Sequence, residues 1–157
     1  LATETKSYLD DVITQVRRIS RDLMPPSLEK LGLSFALDEL VRWINKSDQI
    51  KVEFSKRGEP FRLDIKKELA VFRITQELVN NALKHSGASQ ILIKLRFTEK
   101  YMAVSVADNG KGFDIDKLES NGLGLKNLES RSALIGGSYK LNSFPDKGTF
   151  AVLKLNV

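Results

Sequence analysis

The stretch Asp64–Ser86, DIKKELAVFRITQELVNNALKHS, decides the architecture. Asp64 is a fit N-cap and Ser86-Gly87 a usable C-terminal stop, so the spacing predicts one long helix reaching roughly His85. Leu69, Phe72, Ile74, Leu78, Val79 and Leu83 would bury most of it, which calls for a sheet or other helices to cover it. Yet at about 100° per residue, Arg73, Glu77, Asn80, Asn81 and Lys84 project within an arc of roughly 100°, forming one polar stripe. A solvated face is the plain reading. Against it stand two adjacent asparagines, which are mediocre helix formers and need a reason to sit in mid-helix.

Outward from this helix the periodicity changes. Upstream, Ile50 to Ser55 alternates strictly and reads as a strand, followed by a turn at Gly58-Glu59-Pro60. Downstream, Ile91 to Phe97 and Met102 to Val106 form two antiparallel strands around a short connection from Thr98 to Tyr101. A glycine-rich loop runs from Asp108 to Gly124. A helix from about Leu125 to Leu134 then ends at Gly136-Gly137, and Tyr139 to Ser143 pairs with Phe150 to Val157. The expected fold is α+β, a two-layer sandwich with a mixed, mostly antiparallel sheet and its helices on one face.

The N-terminal region reads as an appendage. Leu9, Val12, Val16, Ile19 and Leu23 fall at spacings of three and four, the stripe of a helix in a bundle or coiled coil. The alternative is an amphipathic helix lying on its own domain. Met24-Pro25-Pro26-Ser27 stops this helix because neither proline has an N–H to donate. Ser34 is a fit N-cap for a further helix through about Lys46, buried on Leu37, Leu40, Val41 and Ile44. The division expected is 1–26 as helix and junction, and 27–157 as the compact domain.

Three elements carry chemistry. On the long helix, the Asn81 carboxamide is a neutral, hard ligand suited to Mg²⁺, Glu77 one turn earlier could orient a nucleophile, and Lys84 could offset phosphate charge. The second element, Asp108 to Phe113, follows directly on a strand. There the Asp108 carboxylate would accept from the exocyclic amine of adenine, with Gly110 and Gly112 admitting a close backbone approach. Guanine would set a carbonyl against that carboxylate, an unmade hydrogen bond costing about 1–3 kcal/mol. The third, Asn121-Gly122-Leu123-Gly124-Leu125, leads into a helix whose N-terminal amides and dipole suit phosphate. Between the glycine pairs, Phe113 to Asn121 is short and polar, as a lid would be.

Taken in order, Glu77 with Asn81, Asp108-x-Gly110-x-Gly112, Gly122-x-Gly124 and Gly148-Thr149 resemble the ATP-binding boxes of the GHKL superfamily, which joins gyrase, Hsp90, MutL and histidine kinases. Within it, Gln76 to His85, Gly122 to Arg131 with Leu134 to Gly137, and Ile19 to Leu28 resemble histidine kinases of the nitrate-sensor and DesK-like type. The resemblance covers nearly the whole chain. It implies the Bergerat ATP-binding fold, ATP as substrate and Mg²⁺ held by Asn81. It also implies Lys84 and His85 near the phosphates, Asp108 on adenine with Thr149 close by, and Gly110, Gly112, Gly122, Leu123, Gly124 and Leu125 shaping the pocket. Glu77 stands where gyrase-like members keep a general base. The family's phosphoacceptor helix is missing, and the one histidine of the chain is His85. The implied reaction therefore passes the γ-phosphoryl group of ATP to a histidine on a dimerisation helix outside this chain. A response regulator and a homodimeric full-length protein complete the expected partners. The alternative within the superfamily is an ATP-binding regulatory protein such as an anti-sigma factor, which needs no bundle stalk.

Composition narrows the classes. The chain of 157 residues carries a formal net charge of +5 and no cysteine, so neither a disulfide framework nor a thiolate metal site is available. Its Lys and Arg are interspersed with acids along the sequence, so no nucleic-acid partner is expected. No apolar run approaches the roughly 20 residues that span a bilayer. A start at Leu1 suits a piece of a longer protein, and the expected location is a cytoplasmic domain, with a membrane-anchored sensor upstream as one setting.

Overall fold

The computed structural model describes residues 2–22, 24–117 and 123–157, with side chains described except at 15–22 and 123. The elements run α1 (Ala2–Asp22), α2 (Pro26–Leu31), α3 (Leu33–Asn45), β1 (Lys51–Arg57), α4 (Ile65–His85), β2 (Gln90–Phe97), β3 (Tyr101–Asp108), a 3₁₀ turn (Ile115–Lys117), α5 (Leu123–Leu134), β4 (Gly137–Ser143) and β5 (Thr149–Asn156). One five-stranded sheet has the order β1-β2-β3-β5-β4. β1 and β2 are parallel and the remaining neighbours antiparallel, so the mixed, mostly antiparallel sandwich expected from the alternation is what forms. The parallel pair follows from the crossover: α4 carries the chain from the end of β1 back to the start of β2.

Helices α3, α4 and α5 pack on one face of this sheet. Ile91, Ile93, Leu95, Met102, Val104, Val106, Ala151, Leu153 and Leu155 alternate inward along β2, β3 and β5 to meet them. α4 lies across the middle. Its N-cap is Asp64, whose Oδ1 accepts from Lys66 N at 2.9 Å, and it ends at Ser86 before Gly87 with φ +62°. Asn45 at the end of α3 clips that helix to β1, donating to Val52 O at 2.8 Å and accepting from Val52 N at 2.9 Å.

Two expectations change. The proline pair does more than stop a helix: Pro26 opens the short helix α2, because a missing N–H costs nothing in a first turn. Consequently Ser34 is not an N-cap. α3 begins at Leu33 after Gly32, whose φ is +87° and whose N–H closes α2 on Leu28 O. Arg62 joins these pieces, donating from Nη2 to Leu28 O and Glu29 O and from Nε and Nη2 to the buried Glu68 carboxylate in the first turn of α4.

The N-terminal helix lies against α4, with Ile13 buried and Leu9 and Val12 partly buried. Ile13, absent from the expected stripe, joins the core, and the partly buried Leu9 one turn before it packs against that core. The side chains of Val16 and Ile19, and the whole of Leu23, lie outside what the structure describes. Among the described residues no helix is long and apolar enough to cross a membrane.

Candidate active site

The register of the sheet builds one end of the site. Asp108 is paired with Thr149 across β3 and β5, and Thr149 with Ser143 across β5 and β4, so a carboxylate and two hydroxyls stand in one row. Ser143 Oγ lies 2.8 Å from Thr149 Oγ1, donates to Gly148 O at 3.2 Å and accepts from Phe113 N at 3.0 Å. Asp108 Oδ1 accepts from Gly110 N at 2.9 Å. No hydrogen bond to its other oxygen is present among the described residues.

The loop after Asp108 is pinned at every step. Lys111 N donates to Ser86 O at 2.8 Å, and Asp146 N to Lys111 O at 2.6 Å. Asn109 turns away from the site, its Oδ1 accepting from Ser89 N and Gln90 N, each at 3.0 Å. The glycines answer to this packing rather than to a ligand: a Cβ on Gly110 would strike the Ser86 carbonyl, and one on Gly112, at φ +59°, the Phe144 carbonyl. Gly110 thus stands behind the cavity, not in its lining. Gly124 has no such neighbour within 4 Å, so steric need does not explain it.

Between the loop, α4 and the start of α5 lies a cavity of about 500 Å³. Of the residues singled out in the sequence it brings together Asn81, His85, Asp108, Gly112, Gly124, Leu125 and Thr149. Asn81 and His85 are one turn apart on the same face of α4, and the exposed His85 is its last residue. Glu77 and Lys84 are half-buried on α4 beside that face and do not line the cavity. Gly122 and the lid residues 118–121 lie outside the described residues, and Leu123 opens α5. The polar stripe of α4 is narrower than the spacing suggested. Asn80 is 5 % exposed and packs inward, 100° round from Asn81.

Sequence reasoning missed the apolar walls Leu78, Ala82, Phe113 and Leu141 and the polar residues Ser86 and Lys111. Leu78 and Ala82 were legible as neighbours of Asn81 at three and one residues. Leu141 comes from another strand and only the strand order brings it in.

The lining joins apolar walls, which suit a planar ring, to the Asp108 carboxylate, which suits its polar edge, and to Asn81 and His85, which suit anionic groups. Among the described residues no group of three or more His, Cys, Asp and Glu could cage a metal. A single carboxamide in the lining suits a cation that takes its remaining ligands from phosphates and water.

Comparisons with known proteins bear on the family and the fold. Residues 66–157 match the model of a family described as histidine kinase-, DNA gyrase B-, and HSP90-like ATPase. The chain is 33% identical over 158 residues to sensor protein VraS of Staphylococcus saprophyticus, covering 94% of this chain and 45% of that protein. It is 30% identical over 154 residues to the signal transduction histidine-protein kinase/phosphatase DegS of Brevibacillus brevis, covering 98% of this chain and 40% of that one. The chain therefore spans less than half the length of either relative. In fold it is similar to the Erythrobacter litoralis EL346 blue-light activated histidine kinase, with TM-score 0.60 and 17% identity over 98% of this chain and 57% of that one. The histidine kinase domain of the same protein gives TM-score 0.62 and 18% identity over 97% and 79%. By the matched span, the chain belongs to the histidine kinase-, DNA gyrase B- and HSP90-like ATPase family, and ATP binding goes with that family.

Proposed function

We propose that this chain is the ATP-binding catalytic domain of a sensor histidine kinase, which donates the γ-phosphoryl group of ATP to a histidine on a dimerisation helix outside the chain. The observation that carries this is that one cavity is lined both by Asp108 and Thr149 of the sheet and by Asn81 and His85 of α4. Adenine is held at the first and its phosphates are directed to the second. Similarity over nearly the whole chain to a sensor protein and to a signal transduction histidine-protein kinase/phosphatase supports the reading.

In this mechanism the chain's residues position and neutralise. Asp108 accepts from the adenine amine, and Leu78, Leu125 and Leu141 exclude water from the ring. Mg²⁺, when bound through Asn81, supplies charge neutralisation on the phosphates. A nitrogen of the acceptor imidazole bonds to the γ-phosphorus as the bond to the β–γ bridging oxygen breaks and ADP leaves. Glu77, half-buried on α4 one turn from Asn81 and outside the cavity lining, is assigned the part of orienting that imidazole through its N–H. His85 shares a helix with Asn81, so it borders the phosphates but cannot approach the γ-phosphorus in line. A misplacement of about 1 Å can cost on the order of a hundredfold in rate.

Residues 1–26 then form the end of a dimerisation helix and its junction, 27–157 the catalytic domain, and the full-length protein is a homodimer serving a response regulator, with a membrane-anchored sensor as one setting. The test is γ-labelled ATP with the chain alone and with a separately supplied acceptor-helix fragment from the same protein. Acid-labile label should appear on the fragment only, and Asn81→Ala should abolish it. Label on His85 itself, or nucleotide binding without any transfer, would overturn the donor assignment.

A further inference from the structure

The function above leaves one face of the sheet unused. The side turned away from the helices carries six basic strand residues, Lys51, Arg57, Lys94, Arg96, Lys140 and Lys154, and a single acid, Glu53. With six basic residues and one acid, this face is strongly positive, although along the sequence its basic residues stand far apart. Glu53 is already taken: Lys51 Nζ lies 2.7 Å from its carboxylate and holds it below the ordinary carboxylate range. Lys154 sits 4.4 Å over the Tyr101 ring. Arg57, Lys94, Arg96 and Lys140 are exposed and have no acidic partner among the described residues.

The face also has relief. Its central strand β3 presents small residues there along Ala103, Ser105 and Ala107, with Tyr101 at one end. In register beside them stand Arg96 and Lys94 on β2, and Lys154 and Val152 on β5. Two strand spacings make this trough about 9.6 Å wide, close to the ~10 Å diameter of an α-helix. One end has an apolar floor, where Leu92, Ala107 and the 41 % exposed Phe150 share a row. A bilayer surface offers no ridge to fill a trough one helix wide. RNA docking on a sheet needs stacking rings on the central strands; the Tyr101 ring of β3 is already covered by Lys154, and the strand's middle positions are alanine and serine.

We propose that this trough docks an acidic amphipathic helix of a partner protein, with an apolar ridge lying on Ala103, Ser105 and Ala107 and flanking carboxylates meeting Lys94, Arg96 and Lys154. The site is separate from the nucleotide cavity, which the helices enclose on the opposite face. Rim charges of this kind set on-rate and salt dependence, so binding should weaken steeply as salt rises.

The probe is a synthetic fluorescein-labelled peptide of about 18 residues, long enough to span the roughly 27 Å of β3, with Leu and Ala on one helical face and Glu on its flanks. A scrambled peptide of the same composition, phosphatidylserine vesicles and oligouridine are run beside it. The patterned peptide should bind best. Lys94→Glu with Arg96→Glu should weaken it by roughly tenfold or more, while Lys46→Glu on the far side leaves it unchanged. Ser105→Trp, which fills the trough without changing charge, should abolish it, with ADP binding retained in every variant as the mark of an intact fold. Equal binding by the scrambled peptide or by Ser105→Trp would overturn the proposal in favour of diffuse attraction. Preference for vesicles or oligouridine, or no binding of any probe, would overturn it too. Should Ser105→Trp lose ADP binding, amide shifts in the unsubstituted protein decide: changes along β3 support the trough and changes elsewhere contradict it.

Discussion

Asp108 holds its own loop and faces the cavity at once, one oxygen fixed by the Gly110 N–H. Nearby residues show what a sequence conceals at this scale. Asn80 and Asn81 are chemically identical neighbours, yet one is buried and the other lines the cavity. A helical wheel places both near a boundary, and only the packing around α4 decides which goes in. Gln76, one turn before Asn80, is 1 % exposed, and neither of its side-chain polar atoms has a hydrogen-bond partner. Unmade buried hydrogen bonds of this kind cost about 1–3 kcal/mol, so Gln76→Met, close in volume and without the amide, should stabilise the fold by about 1 kcal/mol in urea denaturation. Tyr139 gives a pH signature. Burial, then the charge of Glu129, pushes its phenol from the ordinary 10.0 up to about 12. The folded state thus prefers the neutral phenol, and this contribution is full below pH 10 and is lost as pH rises through about 12. Ultraviolet titration should show one of the three tyrosines ionising near pH 12, and Tyr139→Phe should remove that step.

Elements were easier to read than their joints. α4, β2, β3, β4 and β5 follow from apolar periodicity, which a long helix and alternating strands express strongly. α2 and the start of α3 were misread because Pro25-Pro26 carries two opposite instructions, stopping one helix and opening the next. The buried Glu68, bound by Arg62, was invisible since nothing in the sequence pairs a residue before α4 with one inside it. The loop after β3 was legible as glycine-rich, but its glycines serve contacts with Ser86 and Phe144 that only the fold creates. This makes a test at the level of the element. Gly110→Ala should push the loop off the end of α4, costing about 1–3 kcal/mol of stability by overpacking. It should also weaken ADP binding well beyond what a non-lining residue warrants, because Asp108 loses its anchor. An affinity equal to that of the unsubstituted protein would show that loop and helix end are not coupled.

At the scale of the whole molecule, the sequence motifs are far apart along the chain and the sheet order reunites them. Asp108 ends β3, Thr149 opens β5 and Asn81 lies on the helix above, so one crossover and one hairpin assemble a site from residues up to 68 positions apart. The same sheet, seen from behind, brings together six basic residues that stand far apart along the sequence. Both features arise from register, which apolar alternation constrains to a face but not to a neighbour. The central claim is that the cavity reads adenine through Asp108, and titration calorimetry with Mg²⁺ tests it directly. ATP should bind and GTP should bind at least roughly tenfold more weakly, with Asp108→Ala lowering ATP affinity to the level of GTP, as one charged hydrogen bond worth about 1.5–3 kcal/mol requires. ATP and GTP binding equally well, or an Asp108→Ala variant with unchanged ATP affinity, would contradict the account.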